Sequence, residues 1–182
     1  MDGKDGGLLL EIARGTIESH LLGKPYSPGY PDSFRENRGV FVTLNKNGEL
    51  RGCIGFPEPV MPLIEAIQQA AVSAASQDPR FPPLSAEELP QVKIEVTVLT
   101  PPKPLKAEPS DYPNKIKVGR DGLIIEQGFR KGLLLPQVPV EWKWDETEFL
   151  SHTCLKAGLP KDAWKRKETK IYTFQGEIFS EP

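Results

Sequence analysis

The stretch GVFVTLNKNGELRGCIG, residues 39–55, decides the fold. Two runs rich in β-branched and apolar residues flank Asn47-Gly48, a pair suited to a turn that needs positive φ at both positions. The stretch therefore predicts a β-hairpin closed by a type I′ turn. With a two-residue loop, Lys46 opposes Glu49, Leu44 opposes Arg51 and Val42 opposes Cys53. Strand alternation then places Glu49, Arg51 and Cys53 on one face, with Leu50, Gly52 and Ile54 on the other. Cys53 is the candidate reactive group. Thiolate is the nucleophilic form, and a nearby arginine favours it over a thiol whose ordinary pKa is about 8.5. Gly52 and Gly55 weaken a strand and mark a bulge or a close approach to the main chain, by a ligand for example. The competing reading is a small cysteine packed into a core.

Outward from the hairpin, residues 8–22 predict an amphipathic helix with Leu9, Ile12, Ala13, Thr16, Ile17 and His20 on one face and Gly23 as its stop. After the hairpin, Pro62 opens an alanine-rich helix that can lie close to whatever it covers. That helix runs into DPRFPP, residues 78–83, where prolines stiffen a loop bearing Asp78, Arg80 and Phe81. Ser85 and Glu88 have capping-box spacing. Residues 92–100 alternate cleanly, with Val92, Ile94, Val96 and Val98 inward and Lys93, Glu95 and Thr97 outward. Then IKV, GLIIEQ and GLLLPQV, set off by glycines, predict a meander. Asp145 and Glu148 start a last helix with Phe149, Leu150, Thr153, Cys154 and Ala157 on its apolar face, and Gly158 ends it. The tail supplies one or two strands. Strand runs outnumber helices without βα alternation, which predicts an α+β fold with a mostly antiparallel sheet flanked by helices.

Composition narrows the function classes. The 182 residues suit one full core with at most a small appended lobe, and 38% apolar against 26% charged residues is a globular balance. No window approaches the roughly 18 apolar residues of a membrane span, and the acidic N-terminus does not resemble a signal peptide. Two cysteines are too few for a secreted disulfide scaffold, so the cytoplasm is the expected compartment. A net charge of −2 opposes general nucleic-acid binding. The exception in kind is KDAWKRKETK, residues 161–170, a basic run around a tryptophan. Neither the cysteines nor His20 and His152 have metal-ligand spacing, and no phosphate-binding glycine loop occurs, so no metal and no cofactor are expected. His152, off the apolar face of its helix, is expected on the surface or lining a cleft.

Taken together, GVFVTLNKNGELRGCIG, QDPRFPPLSAEEL, IEVTVLTPP, GLIIEQGFRKGLLLPQV and FLSHTCLKAGL, in this order along nearly the whole chain, resemble the AMMECR domain family. The compact chain resembles the archaeal or bacterial form. The resemblance implies a single domain over residues 1–182, with a larger and a smaller lobe and a cleft between them. It implies association with Memo-type and radical-SAM proteins in a modification pathway. By motif it implicates Arg51, Gly52, Cys53 and Gly55 from the signature, Asp78, Arg80 and Phe81 from the DPRF segment, Glu95 from the following strand, and Pro136 and Gln137 from LLPQV.

Three readings follow. In an enzyme or enzyme component, Cys53 is a nucleophile or redox thiol assisted by Arg51, with Asp78, Arg80 and Glu95 positioning substrate or moving protons. In a non-catalytic module, the same residues bind a small anion, a peptide or a protein partner. The third, weaker reading is RNA contact through residues 161–170.

Overall fold

The structure, a computed structural model, describes residues 3–182. The fold is α+β, and its strands form two four-stranded sheets. The chain divides into two compact units, residues 1–99 with 177–182 and residues 100–176. Each has its own apolar core.

In the first unit, helix α1 (Gly3–Leu22) precedes the hairpin of β1 (Val40–Lys46) and β2 (Glu49–Phe56). Helix α2 (Leu63–Ser76), strand β3 (Val92–Leu99) and, near the C-terminus, strand β8 (Gly176–Ser180) complete it. The sheet order is β2-β1-β3-β8, so β2 is an edge strand. Val40, Val42, Leu44, Ile94, Val96 and Val98 turn to one face and pack with Ala66, Ala70, Ala71 and Ala74 of α2. The alanine stripe carries no bulk, so the helix backbone comes within contact distance of the sheet. A Cβ at Gly52 would lie 2.3 Å from the Ala74 carbonyl oxygen, so this glycine serves helix packing. Asn47 and Gly48 both have positive φ (55° and 83°), the turn the pair predicts.

Two expectations in this unit change. A bulge interrupts the hairpin: Asn45 pairs with Leu50, the next pair is Leu44 with Gly52, and Arg51 is left over. Below the bulge Cys53 opposes Thr43, not Val42. His20 is exposed rather than coreward, because the helix stripe continues from Ile17 to Leu21, which packs on the core in its place.

The second unit holds β4 (Lys103–Pro104), α3 (Tyr112–Lys115), β5 (Gly122–Gln127), β6 (Arg130–Leu134), α4 (Gln137–Trp142), α5 (Glu146–Lys156) and β7 (Lys170–Phe174). Its sheet order is β4-β7-β5-β6, antiparallel throughout. Asp145 and Glu148 form both halves of the capping box, and Gly158 has φ 72°. IKV is not a strand: Ile116 is buried at the C-terminal end of the short α3, and the chain turns through residues 118–120. The tail does make two strands, but β7 joins the second sheet and β8 the first.

Candidate functional site

Cys53 sits on the edge strand with its main chain held from outside the sheet. Its N–H donates to Oδ2 of Asp78 at 2.9 Å, and its carbonyl oxygen accepts from Nη2 of Arg80 at 3.4 Å. Both polar groups of the residue therefore point away from β1. That makes Cys53–Thr43 a non-hydrogen-bonded pair, the kind in which opposed side chains come closest. The contact follows: Oγ1 of Thr43 lies 3.2 Å from Sγ of Cys53. Half-buried, the thiol stands on the sheet face turned away from α2. An edge strand leaves a row of unpaired donors and acceptors, and here the loop after α2 covers them at one residue.

That loop is itself braced. Leu84 N–H donates to the Ala75 carbonyl at 2.7 Å, and Phe81 N–H to the Asp78 carbonyl at 3.1 Å. Asp78 is 4% exposed and accepts from Arg80 three times: from its N–H, from Nε at 3.0 Å and from Nη2 at 2.7 Å. The Arg80 guanidinium, bonded bidentately, holds the Asp78 carboxyl well below the usual range; burial opposes this and the Cys53 N–H adds to it. In turn Asp78 raises the Arg80 pKa. The Arg80 side chain remains 55% exposed. The Asp78–Arg80 pair thus braces the loop from within, and it reaches further, to Cys53.

Arg51 turns elsewhere. Freed from the ladder by the bulge, it donates to both oxygens of Glu88, at 3.2 and 3.0 Å, and to the Pro82 carbonyl at 3.0 Å. Lys46 reaches the same carboxylate at 2.9 Å, and the Ser85 N–H does so at 3.2 Å. Arg51, then Lys46 and Ser85, hold the Glu88 pKa down at about 2. Arg51 and Cys53 do not share a set of partners, and the guanidinium beside Cys53 is that of Arg80. Both arginines lie over the Phe81 ring, 6.0 and 5.6 Å from its centroid.

Glu95 shares the outer face with Cys53 through their common neighbour Thr43, and it accepts from Ser180 at 3.0 Å. Gly55 pairs with Phe41, whose ring occupies the place a side chain would take, so the outer face is covered there by protein. Neither Gly52 nor Gly55 offers open backbone at its Cα. Pro136 and Gln137 belong to the second unit, at the start of α4.

The remaining candidates lie in the second unit. Cys154 is buried, and burial pushes its thiol up to about 11. His152 is half-buried rather than open surface, and its ring stacks on Trp144 at 3.8 Å. Trp164, inside the basic run, is buried and presents no open ring for base stacking. Among the described residues no cluster of His, Cys, Asp or Glu has metal-site geometry, and no helix is long and apolar enough to cross a membrane.

Comparison with known proteins agrees with this architecture. The family whose model matches is AMMECR1, over residues 10–179. A protein of Methanothermobacter thermautotrophicus is 58% identical over 181 residues, covering 97% of this chain and 94% of that one. One from Methanocaldococcus jannaschii is 54% identical over 182 residues, with 98% and 90% covered. The crystal structure of an uncharacterized protein of Pyrococcus horikoshii, PH0010, is similar at a TM-score of 0.79 with 52% identity, covering 100% of this chain and 93% of that one. The chain belongs to the AMMECR1 family.

Proposed function

We propose that this AMMECR1-family chain is an enzyme component whose reacting group is the Cys53 thiol. One observation carries the reading: an ion pair grips both main-chain polar atoms of Cys53 while its sulfur faces outward beside Thr43. Fixing a reactive group from behind, through a second layer of hydrogen bonds, is how a site is preorganised without blocking it. Arg80 positions Cys53, and its half-exposed guanidinium also meets an anionic group on the substrate. Arg51, which the sequence favours as the thiol's assistant, braces the loop through Glu88 and Pro82 instead. The step belongs to a modification pathway shared with Memo-type and radical-SAM proteins; family membership supports this part.

A second reading, a non-catalytic binding module, has its own support. The two carboxylates that hold Cys53 and Arg51, Asp78 and Glu88, are locked in ion pairs and stay ionised far below neutral pH. Neither can exchange a proton with substrate at pH 7. Native-state alkylation by iodoacetamide, resolved by peptide mass, separates the readings. An enzyme requires Cys53 to react in the folded protein while Cys154 stays silent until unfolding. A Cys53 as silent as Cys154 sinks the enzyme and leaves the module.

A further inference from the structure

The register of the first sheet lines up a row of polar side chains across its outer face. Cys53 pairs with Thr43, and Thr43 with Glu95. Ser180, on the neighbouring β8, donates to the Glu95 carboxylate. Beyond Cys53, Arg80 closes the row at the cysteine's carbonyl. From β3 outward to the loop, the order is carboxylate, hydroxyl, thiol, guanidinium. One end is a carboxylate and the other a guanidinium already paired with Asp78.

Each end keeps capacity to bind. Glu95 accepts only from Ser180 among the described residues, through Oε2, so Oε1 has room for a donor. On Arg80, Nε and Nη2 are spent on Asp78 and the Cys53 carbonyl, and Nη1 has no partner among the described residues. Lys93, two positions from Glu95 on the same face, is exposed and stands in the wall of the neighbouring groove. The two ends of the row are not bonded to each other, and although the Arg80 charge is paired with Asp78, its Nη1 stays open as a donor.

Spacing gives the ligand a length. Neighbouring strands lie about 4.8 Å apart, so Glu95 is roughly 10 Å from Cys53 and about 15 Å from the far side of the edge strand, where Arg80 sits. Extended chain advances about 3.3 Å per residue, so about four residues span the row. Beside Glu95, on the side of the hairpin turn and away from Cys53 and Arg80, a groove of about 410 Å³ has Asn45, Asn47, Lys93 and Ser180 in its walls. That volume is of the size small-ligand sites occupy. The amides of Asn45 and Asn47 carry donors and acceptors together, the complement of peptide groups.

We infer that the outer face of this sheet takes an extended, bipolar, peptide-like ligand about four residues long. Its amine meets Glu95, its carboxylate meets Arg80, and the backbone between them passes Thr43 and the Cys53 sulfur. The inference deepens the proposed function by giving the site a substrate class, and it depends on charge and spacing rather than on thiol reactivity.

Tetra-alanine is a direct probe, titrated into the ¹⁵N-labelled full chain in three forms: both termini free, N-acetylated, and C-amidated. The free form is expected to shift the amides of Thr43, Cys53 and Glu95. Blocking either terminus weakens binding about fivefold, the scale of a partly exposed ion pair. Glu95→Gln removes the penalty for acetylation and keeps the penalty for amidation. Iodoacetamide alkylation of Cys53 is read in the same chain, so bipolar recognition and thiol reactivity can fail separately. Equal responses to the three peptides overturn the inference, as does the absence of any shift with the free form at millimolar concentration.

Discussion

The two units solve the same packing problems with the same parts and put them to different ends. In the first, buried Asp78 is gripped bidentately by the half-exposed Arg80. In the second, buried Asp121 is gripped by the half-exposed Arg120, at 3.0 and 2.6 Å. Asp121 also accepts from the Lys117 N–H and the Gln175 side-chain amide, so its clamp closes a turn and ties it to the end of β7. Asp78 accepts instead from Cys53. A strand glycine lies under a helix in both units: Gly52 beneath Ala74 of α2, and Gly132 beneath Ala157 at the end of α5. Each unit has one cysteine, but Cys154 is buried in a core and Cys53 stands at the outer face. A buried Asp–Arg clamp is therefore ordinary scaffolding in this protein. The first one differs only in what it holds.

The comparison breaks most visibly if the clamps are cut. Asp78→Ala and Asp121→Ala each remove a buried carboxylate and leave an arginine and a partly buried main-chain donor unpaired, and each is expected to cost about 3 kcal/mol in chemical denaturation. Only Asp78→Ala alters the rate at which Cys53 is alkylated. Next in size are the packing glycines. Alanine at Gly52 places a Cβ 2.3 Å from a helix carbonyl, and at Gly132 2.4 Å from a helix nitrogen, so both lose roughly 1–3 kcal/mol to overpacking. A Gly52→Ala variant of unchanged stability, measured the same way, removes the close-packing account of the signature glycine.

Smaller effects sharpen the difference. Glu88→Gln frees Arg51 and Lys46 and is expected to cost about 1 kcal/mol, while Cys53 alkylation is unchanged because Glu88 does not touch it. Acid titration should act gently on both units. In the folded chain Asp78, Glu88 and Asp121 lie below their ordinary values, Asp121 because bonds from Arg120, Gln175 and Lys117 outweigh the upward push of its burial. Such groups stabilise fully above the unfolded-state range of about 4, and the contribution fades as pH falls toward the folded value, about 2 for Glu88. Denaturation midpoints should therefore hold flat from neutrality to about pH 5 and fall below about pH 4.

Local signals carried much of this fold. Asn47-Gly48, the alternation of Val92 through Val98, the Asp145–Glu148 box and Gly158 each specify their own backbone within a few residues, and all four appear as read. Residues whose partners are far away in the chain were less legible. Arg51 leaves the ladder for Glu88, 37 positions on, and no local pattern encodes that bulge. Glu88 reads as a cap for Ser85, and it does bond the Ser85 N–H, but Arg51 and Lys46 claim the same carboxylate. Thr43 enters the site only because the shifted register sets it against Cys53. Ile116 has a strand-like sequence around it, yet a short helix before it and a turn after it leave no length for pairing. At the site, residue types and motif membership were visible, while the choice of Arg80 over Arg51 as the neighbour of Cys53 was a matter of tertiary structure.

The most direct measurement is native-state hydrogen exchange at the Cys53 amide, in the wild type, Asp78→Asn and Asp121→Asn. This amide faces outward from an edge strand, where only the clamp can protect it. The account predicts a slowly exchanging Cys53 amide in the wild type and in Asp121→Asn, and a rapidly exchanging one in Asp78→Asn under conditions where all three remain folded. Rapid exchange already in the wild type, or equal loss of protection in both variants, contradicts it.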